Sequence, residues 1–273
     1  SLTATDVADS CNITVKATNP NYSAPVTKTV ALTINARPVV FAGVSAEETY
    51  TGELITIDDV TVGAPTGVTE GGLLTGHKHN FTFSASGTDA STTPYQGTYT
   101  AANEVVITAG EGDDAIDVTN NYAISTEGGT LTIVPTEEPF EVTFAGASCV
   151  YNGEAHSLTT AATTTAASGE TTIQYSKDGE NWVNDLASLT ATNVADSCEI
   201  TVKATNPNYS KPVTKTVTLT ISKRPVVFAG VSEEAPYTGR LITINGVSVG
   251  KPEDATEGGL LEGHNHNFTF SAS

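Results

Sequence analysis

An internal repeat is the feature that most restricts how this chain folds. Residues 1–86 align without a gap on residues 188–273, at an offset of 187, and 67 of the 86 positions are identical. Near-identity over this length indicates recent duplication within a tandem array, in which both copies fold alike. The chain contains no methionine, and therefore no initiator, so we expect it to be an excerpt of a longer protein.

The residue pattern predicts strands throughout. The chain is rich in threonine, valine and glycine, and apolar residues alternate with threonine from Val213 to Ile221, as in a half-buried strand. Turn signals such as Asp178-Gly179 and Gly128-Gly129 separate short apolar runs and predict hairpins. With 38% hydrophobic residues the chain can bury cores. The fold class that follows is all-β, with tandem β-sandwich domains.

The charge excludes several classes of partner. The formal net charge is −19, from 31 acidic and 12 basic side chains, so the chain repels nucleic acid and anionic lipid surfaces. No stretch approaches the ~18 consecutive apolar residues of a membrane-spanning helix, so we expect no membrane insertion.

Two proline-containing seams divide the chain into domains. One lies at Arg224-Pro225, between two apolar runs, and the other at Pro135 to Pro139. They define a complete type-B domain at 38–137 and a complete type-A domain at 138–224. Residues 1–37 are then the C-terminal part of a type-A domain, and residues 225–273 the N-terminal part of a type-B domain. We expect polypeptide outside this chain to complete both parts, and the short seams to make a stiff, extended array.

Several phrases resemble known repeats. Residues 117–124, DVTNNYAI, followed by GTLTI at 129–133, resemble the closing hairpin of the MBG-type repeats of bacterial surface proteins. Residues 198–209, CEITVKATNPNY, are similar to a strand and turn of related bacterial immunoglobulin-like repeats. The resemblance implies an extracellular stalk or adhesin segment on a bacterial cell surface. Its partners would be neighbouring repeats of the same array, or other copies in a filament.

The three cysteines raise the question of a disulfide. Members of the resembled family often carry Gly-Thr-Tyr where this chain has Asp196-Ser197-Cys198, a departure that points to an added disulfide. Cys198 is in phase with Ile200 and should point inward, and Cys149 follows the first strand of the same domain. We therefore predict a Cys149–Cys198 disulfide, with Cys11 unpaired within the chain. The alternative is a pair of inert buried thiols.

Two clusters have residue types that bind metals. His77 and His79 share one face of a strand, as do His264 and His266 in the second copy, which is a spacing that can hold zinc. The alternative is a pair of surface histidines beside a strand. Oxygen ligands for calcium cluster at Glu111 and in the set Asp113, Asp114 and Asp117. A turn between strands explains the same residues.

Other chemistry finds little support. Trp182, the only tryptophan, ends the segment SKDGENW, in which Asp178 and Trp182 are expected to brace a hairpin turn; stacking on a sugar is the alternative role. No nucleophile elbow, metalloprotease motif or phosphate loop is present in the sequence. We therefore expect no enzyme, and no cofactor other than the calcium weighed above.

Two functions remain. The first is a structural repeat segment that forms an extended stalk or filament. The second is a binding module of an adhesin, in which weak sites for a glycan or a host protein gain avidity through repetition.

Overall fold

The computed structural model describes residues 2–243, 246–269 and 271, which belong to two compact units, residues 1–136 and 137–273. The helices among the described residues are single turns of 3₁₀ helix, and strands form the rest of the regular structure. The all-β prediction is confirmed. No helix in the described part of the chain is long and apolar enough to cross a membrane.

The described part of unit 1 contains fourteen short strands. They are β1 (Cys11–Ala17), β2 (Val26–Leu32), β3 (Arg37–Gly43), β4 (Ala46–Thr49), β5 (Ile55–Ile57), β6 (Val60–Gly63), β7 (His77–His79), β8 (Phe83–Gly87), β9 (Tyr95–Gln96), β10 (Thr98–Tyr99), β11 (Ile107–Ala109), β12 (Ile116–Asp117), β13 (Tyr122–Glu127) and β14 (Thr130–Val134). Its 3₁₀ helices are η1 (Val7–Asp9), η2 (Gly112–Asp114) and η3 (Thr119–Asn121).

The type-B sheets close by pairing distant strands in parallel. β3 lies between β13, its parallel partner, and β6, its antiparallel one; β14 lies between β4 (parallel) and β9 (antiparallel). Two further three-stranded sheets have the orders β10-β8-β5 and β12-β11-β7. Alternate residues of these strands point inward, because side chains of a strand alternate between its faces. The fully buried positions include Val39, Phe41, Ile107 and Leu131.

The turn at Gly128-Gly129 differs from the prediction. It does not close a hairpin: β13 and β14 belong to different sheets, so the turn carries the chain from one sheet to the other. The crossing passes close to other backbone, since a Cβ on Gly129 would lie 2.7 Å from the carbonyl oxygen of Val44. Glycine fits here because it has no Cβ.

Unit 2 contains eight described strands. They are β15 (Val142–Thr143), β16 (Ala147–Val150), β17 (Thr163–Thr164), β18 (Thr172–Ser176), β19 (Cys198–Thr205), β20 (Val213–Ser222), β21 (Val227–Gly230) and β22 (Val247–Gly250). Its described 3₁₀ helices are η4 (Leu186–Ser188) and η5 (Val194–Asp196).

The type-A part of unit 2 has one four-stranded sheet, in the order β16-β20-β19-β18, and a small β15–β17 pair. β16 is parallel to β20, and the other pairs in the larger sheet are antiparallel. The sheet's inner face forms one apolar cluster with residues that precede β19. Buried members of the cluster are Phe140, Val142, Phe144, Leu158, Ala162, Tyr175, Leu186, Ala191, Ile200, Val202, Ala204, Leu219 and Ile221.

The strands β19 and β20 recur in unit 1 as the hairpin β1–β2, with Cys11 opposite Leu32 and Ala17 opposite Val26. In unit 1 this hairpin is almost entirely exposed. The same sequence is therefore a buried sheet in one unit and an open hairpin in the other.

Candidate functional site: the seam between type-A and type-B segments

The arginine that ends each type-A part is bound to a loop of the type-B segment that follows it. Arg37 donates from Nη2 to the carbonyl of Gly71 (2.6 Å) and from Nε to that of Gly72 (2.9 Å). Arg224 makes the same two bonds, to Gly258 (2.7 Å) and Gly259 (2.9 Å). The arginine contact is thus the same in both copies of the seam.

The backbone completes this clamp. The carbonyl of Pro38 accepts a hydrogen bond from Gly72 N at 2.8 Å, and Pro225 and Gly259 repeat the contact at 2.9 Å. The loop approaches so closely that a Cβ on Gly71 would lie 2.8 Å from the Pro38 carbonyl. The sequence signal for the clamp is that RPVVFAGVS and EGGLL both recur unchanged in the two copies.

In unit 1 the type-A segment contacts the type-B segment through η1. Asn121, at the end of η3, accepts a hydrogen bond from Val7 N (2.8 Å) and donates one to Asp6 Oδ1 (2.7 Å). The Asp9 carboxylate caps the same turn by accepting from Asp6 N (2.9 Å) and Thr5 N (2.8 Å). These bonds hold the pKa of Asp9 below its usual range.

In unit 2 the contact comes from the other end of the type-A domain. Arg224 donates from Nη1 to the carbonyl of Tyr151 (3.4 Å), and the Tyr151 ring packs on His264, with ring centroids 6.0 Å apart. Arg224 also lies 3.6 Å from a carboxylate oxygen of Glu257. The arginine therefore links the type-A domain to the type-B loop.

His77 and its counterpart His264 lie at this seam. The Nδ1 atom of His77 is 2.6 Å from the hydroxyl of Tyr122, which also accepts a hydrogen bond from Leu74 N at 3.3 Å. A cavity of about 400 Å³ opens beside these groups in unit 1. Its lining includes Ile34, Arg37, Leu74, His77, Asn121 and Tyr122.

The predicted histidine pairs are divided between two environments. His79 packs on Phe41, with centroids 4.8 Å apart, and its buried Nδ1 lacks a hydrogen-bond partner among the described residues. Burial lowers the pKa of His79, because desolvation penalises the charged imidazolium. In unit 2, His266 packs on Phe228 in the same way (5.6 Å). The described residues contain no group of three or more His, Cys, Asp or Glu that could hold a metal ion.

The acidic cluster near residue 111 forms a turn. Asp113 and Asp114 belong to η2, and Glu111 pairs with Lys78 at 3.0 Å. Asp117 Oδ1 accepts from Thr119 N at 2.9 Å, and hydrogen bonds from the Thr119 side chain and backbone lower its pKa. These carboxylates are spread along a turn and do not converge on one point.

Trp182 and Asp178 lie in the predicted hairpin. Asp178 Oδ1 accepts from Ser176 Oγ (2.8 Å), Glu180 N (2.9 Å) and Asn181 N (2.8 Å), and Oδ2 accepts from Asn181 Nδ2 (2.6 Å). These bonds, from Asn181 above all, hold the pKa of Asp178 far below its usual range. The ammonium of Lys203 lies 4.0 Å from the centroid of the half-buried Trp182 ring.

The predicted Cys149–Cys198 disulfide is not present in the structure. Cys11, Cys149 and Cys198 are all free thiols. Cys149, on β16, is opposite Ile221, and Cys198, on β19, is opposite Leu219, so β20 lies between the two cysteines. Two strand spacings of about 4.8 Å separate them by more than the ~7 Å between Cα atoms that a disulfide spans.

No protein-family model matches the chain, including at the segments that resemble MBG-type repeats, and no curated protein sequence matches it. Solved structures give distant matches. Sidekick-1 immunoglobulin domains 1–5 match with a TM-score of 0.27 and 11% identity, over 77% of this chain and 46% of that one. Fibronectin(III)-like modules of Clostridium thermocellum CbhA match with a TM-score of 0.25 and 18% identity, over 66% and 91%.

Drosophila N-cadherin EC1-3 matches with a TM-score of 0.24 and 12% identity, over 78% of this chain and 77% of that one. Likeness at this level is remote. The β-sandwich class of this chain rests on its own sheets and cores.

Proposed function

We propose that this chain is a structural segment of a secreted bacterial surface protein, in which MBG-like type-A and type-B β-domains alternate and dock in a fixed geometry to form an extended stalk. The observation that supports this proposal is the clamp of Arg37 and Arg224, which is built twice with the same acceptors. Repeated, bonded seams suit a protein that must transmit a defined spacing.

The charge and the residue chemistry are consistent with this role. A net charge of −19 keeps neighbouring stalks apart in solution. The histidines and the arginine at the seam are engaged in contacts within the protein, so the proposal includes no catalytic step.

Small-angle scattering on chains of one, two and three periods tests the proposal. A stiff array gains a constant length per period, about 60–80 Å if each domain contributes 30–40 Å. Replacing the clamp arginine with alanine at every seam (R37A and R224A) should shorten the maximum dimension and broaden its distribution. The matched control is R240A, which removes an exposed arginine away from the clamp. A compact particle, or a length that grows only with the square root of the period number, would contradict the proposal.

The alternative is a binding module of an adhesin. Its candidate residue, Trp182, already has the Lys203 ammonium over its ring, which leaves less of the ring for a sugar. A glycan array probed with the full chain, with W182A beside it, distinguishes the two functions. Glycan binding by the full chain that is lost in W182A would favour the adhesin function over the stalk function.

A further inference from the structure

The hairpin β1–β2, called here the acceptor hairpin (Cys11–Leu32), exposes a face that the same residues bury in unit 2. Val15 is 56% exposed, whereas its counterpart Val202 is 0% exposed. Tyr22 is 75% exposed, while Tyr209 is half-buried against Phe140, with centroids 4.7 Å apart. The chemistry of the face is identical in both places, so the difference lies in what covers it.

In unit 2 the cover is residues 137–187, called here the front segment. Seven members of the apolar cluster belong to it, and they pack on the faces of β19 and β20: Phe140, Val142, Phe144, Leu158, Ala162, Tyr175 and Leu186. β18 adds to the edge of β19, and β16 adds to the edge of β20. The front segment thus supplies both the apolar face and the edge strands.

β2 is shorter than its counterpart β20, and the difference lies where β20 pairs with the front segment. β20 runs for ten residues, to Ser222, and its last four residues pair with β16. Residues 26–35 repeat the sequence of β20 apart from two substitutions, Ala31 for Thr218 and Asn35 for Ser222, but β2 ends at Leu32. The missing strand residues are those that follow Leu32, where β16 would pair. Residues 33–35 thus have a strand-forming sequence, but the neighbouring strand that pairs with their counterparts in unit 2 is absent from the described part of unit 1.

The turn of the acceptor hairpin has the same side-chain hydrogen bond as its counterpart in unit 2. Asn208 N donates to Asn206 Oδ1 at 2.9 Å, and Asn21 N donates to Asn19 Oδ1 at the same distance. In unit 2 Asn206 Nδ2 then donates to the carbonyl of Ser168 at 2.9 Å, within the front segment. In unit 1 Asn19 is exposed, with its side chain set in the same turn. Preorganisation of this kind lowers the ordering cost of binding.

The front segment contributes to the lining of the corresponding cavity in unit 2. In unit 2 Tyr151, from the front segment, packs on His264 and accepts from Arg224. The equivalent residues in unit 1, His77 and Arg37, line the cavity of about 400 Å³. In unit 2 the counterpart cavity, of about 330 Å³, is lined by Tyr151 together with Arg224 and His264.

From these observations we infer that the acceptor hairpin is a docking surface for a second copy of the front segment, delivered by polypeptide that leads directly into the hairpin. A direct connection is favoured because Ala187 and Ser188 are consecutive in unit 2, so docking incurs no cost of bringing two molecules together. Docking would turn the open hairpin into a second buried type-A core.

The test compares the full chain with the full chain extended by a copy of residues 137–187 joined before Ser1. Hydrogen exchange followed by mass spectrometry reports on residues 11–32. Peptides from the two copies are distinguishable, because Asn12 and Ala31 are replaced by Glu199 and Thr218. We expect exchange of these amides to slow at least tenfold, to about the rate of β19 and β20, and labelling of the exposed Cys11 to slow with it.

Val15→Asp supplies the matched control. In the unextended chain it changes an exposed residue and should leave the exchange of the rest of unit 1 unchanged. In the extended chain it places a charge in the new core and should abolish the gained protection. The same loss is expected from Phe144→Asp made only in the extension.

Two results would overturn the inference. One is unchanged exchange of residues 11–32 and unchanged labelling of Cys11 after the extension. The other is a concentration-dependent dimer of the unextended chain at pH 7 and low salt that protects the hairpin, seen by sedimentation with hydrogen exchange, because it would place the donor in a second molecule.

Discussion

At the scale of the residue, one glycine in unit 2 combines backbone strain with a close contact. Gly169 has φ +78°, and a Cβ there would lie 2.8 Å from Nδ2 of Asn208. Gly179 has nearly the same φ, +77°, but open space around it. Alanine at 179 should therefore cost about 1 kcal/mol of unfolding free energy for strain alone, and alanine at 169 about 3 kcal/mol. Urea unfolding followed by Trp182 fluorescence checks the order, and equal costs would contradict it.

His79 should make unit 1 sensitive to mild acid. Its pKa is lowered from the usual 6.5 in the folded chain, so the unfolded chain binds the proton first as the pH falls. The stability of unit 1 is then complete above pH 6.5 and decreases as the pH falls towards the lower, folded pKa. Carboxylates titrate near pH 4, so measurements between about pH 7.5 and 5.5 exclude their titration.

The measurement for His79 uses two signals. Hydrogen exchange of β3 and β13 reports on unit 1, and the fluorescence of Trp182, the only tryptophan, reports on unit 2. His79→Phe keeps a ring on Phe41 and removes the titration, so it should flatten the pH dependence of exchange in unit 1. A slope that survives this substitution would assign the sensitivity to another group.

Local residue roles were predictable where the partners are close in sequence. The segment SKDGENW predicts the turn at Asp178, and the hydrogen bonds of the Asp178 carboxylate all come from residues two or three positions away. The role of Asn121 was not, because its partners Asp6 and Val7 are more than a hundred positions away. The burial of His79 also depends on Phe41, from a distant strand. Distance along the chain, and not residue type, set the limit.

At the scale of the element, η1 depends on a single side chain for its attachment to the type-B segment. Asn121 is both donor and acceptor there, so Asn121→Ala should remove both bonds. We expect amide exchange at residues 5–9 to speed up by about tenfold, while exchange in β3 and β13 stays unchanged. The neighbouring Asn120 is exposed, and Asn120→Ala is the control. Equal effects of the two substitutions would show that η1 is held by other contacts.

Strand existence followed from alternation, but strand pairing did not. The pattern of β20 indicates one buried face but not which strands flank it. It therefore allows a Cys149–Cys198 pair, although β20 lies between the two cysteines. The same limit applies to Gly128-Gly129. A Gly-Gly turn between two strands fits both a hairpin and a crossing between sheets, and here β13 and β14 belong to different sheets. Parallel pairing of first and last strands is a long-range choice, made by the packing of the whole domain.

At the scale of the whole molecule, net charge determines whether separate chains associate. At pH 7 the charge of −19 opposes contact between chains, while the open hairpin exposes apolar residues such as Val15 and Val26. Near the isoelectric point, about 4.4, the repulsion vanishes and the apolar contact remains. We expect particles to be monomeric at pH 7 and to associate at pH 4.4, as seen by light scattering.

Salt at about 0.5 M should raise association at pH 7 as well, because it shortens the Debye length to a few ångströms. Val26→Asp should weaken this association, whereas Leu54→Asp, at an apolar residue exposed elsewhere in unit 1, should have less effect at equal added charge. If both substitutions act alike, net charge alone governs association; if only Val26→Asp acts, the open hairpin is the surface through which the chains meet.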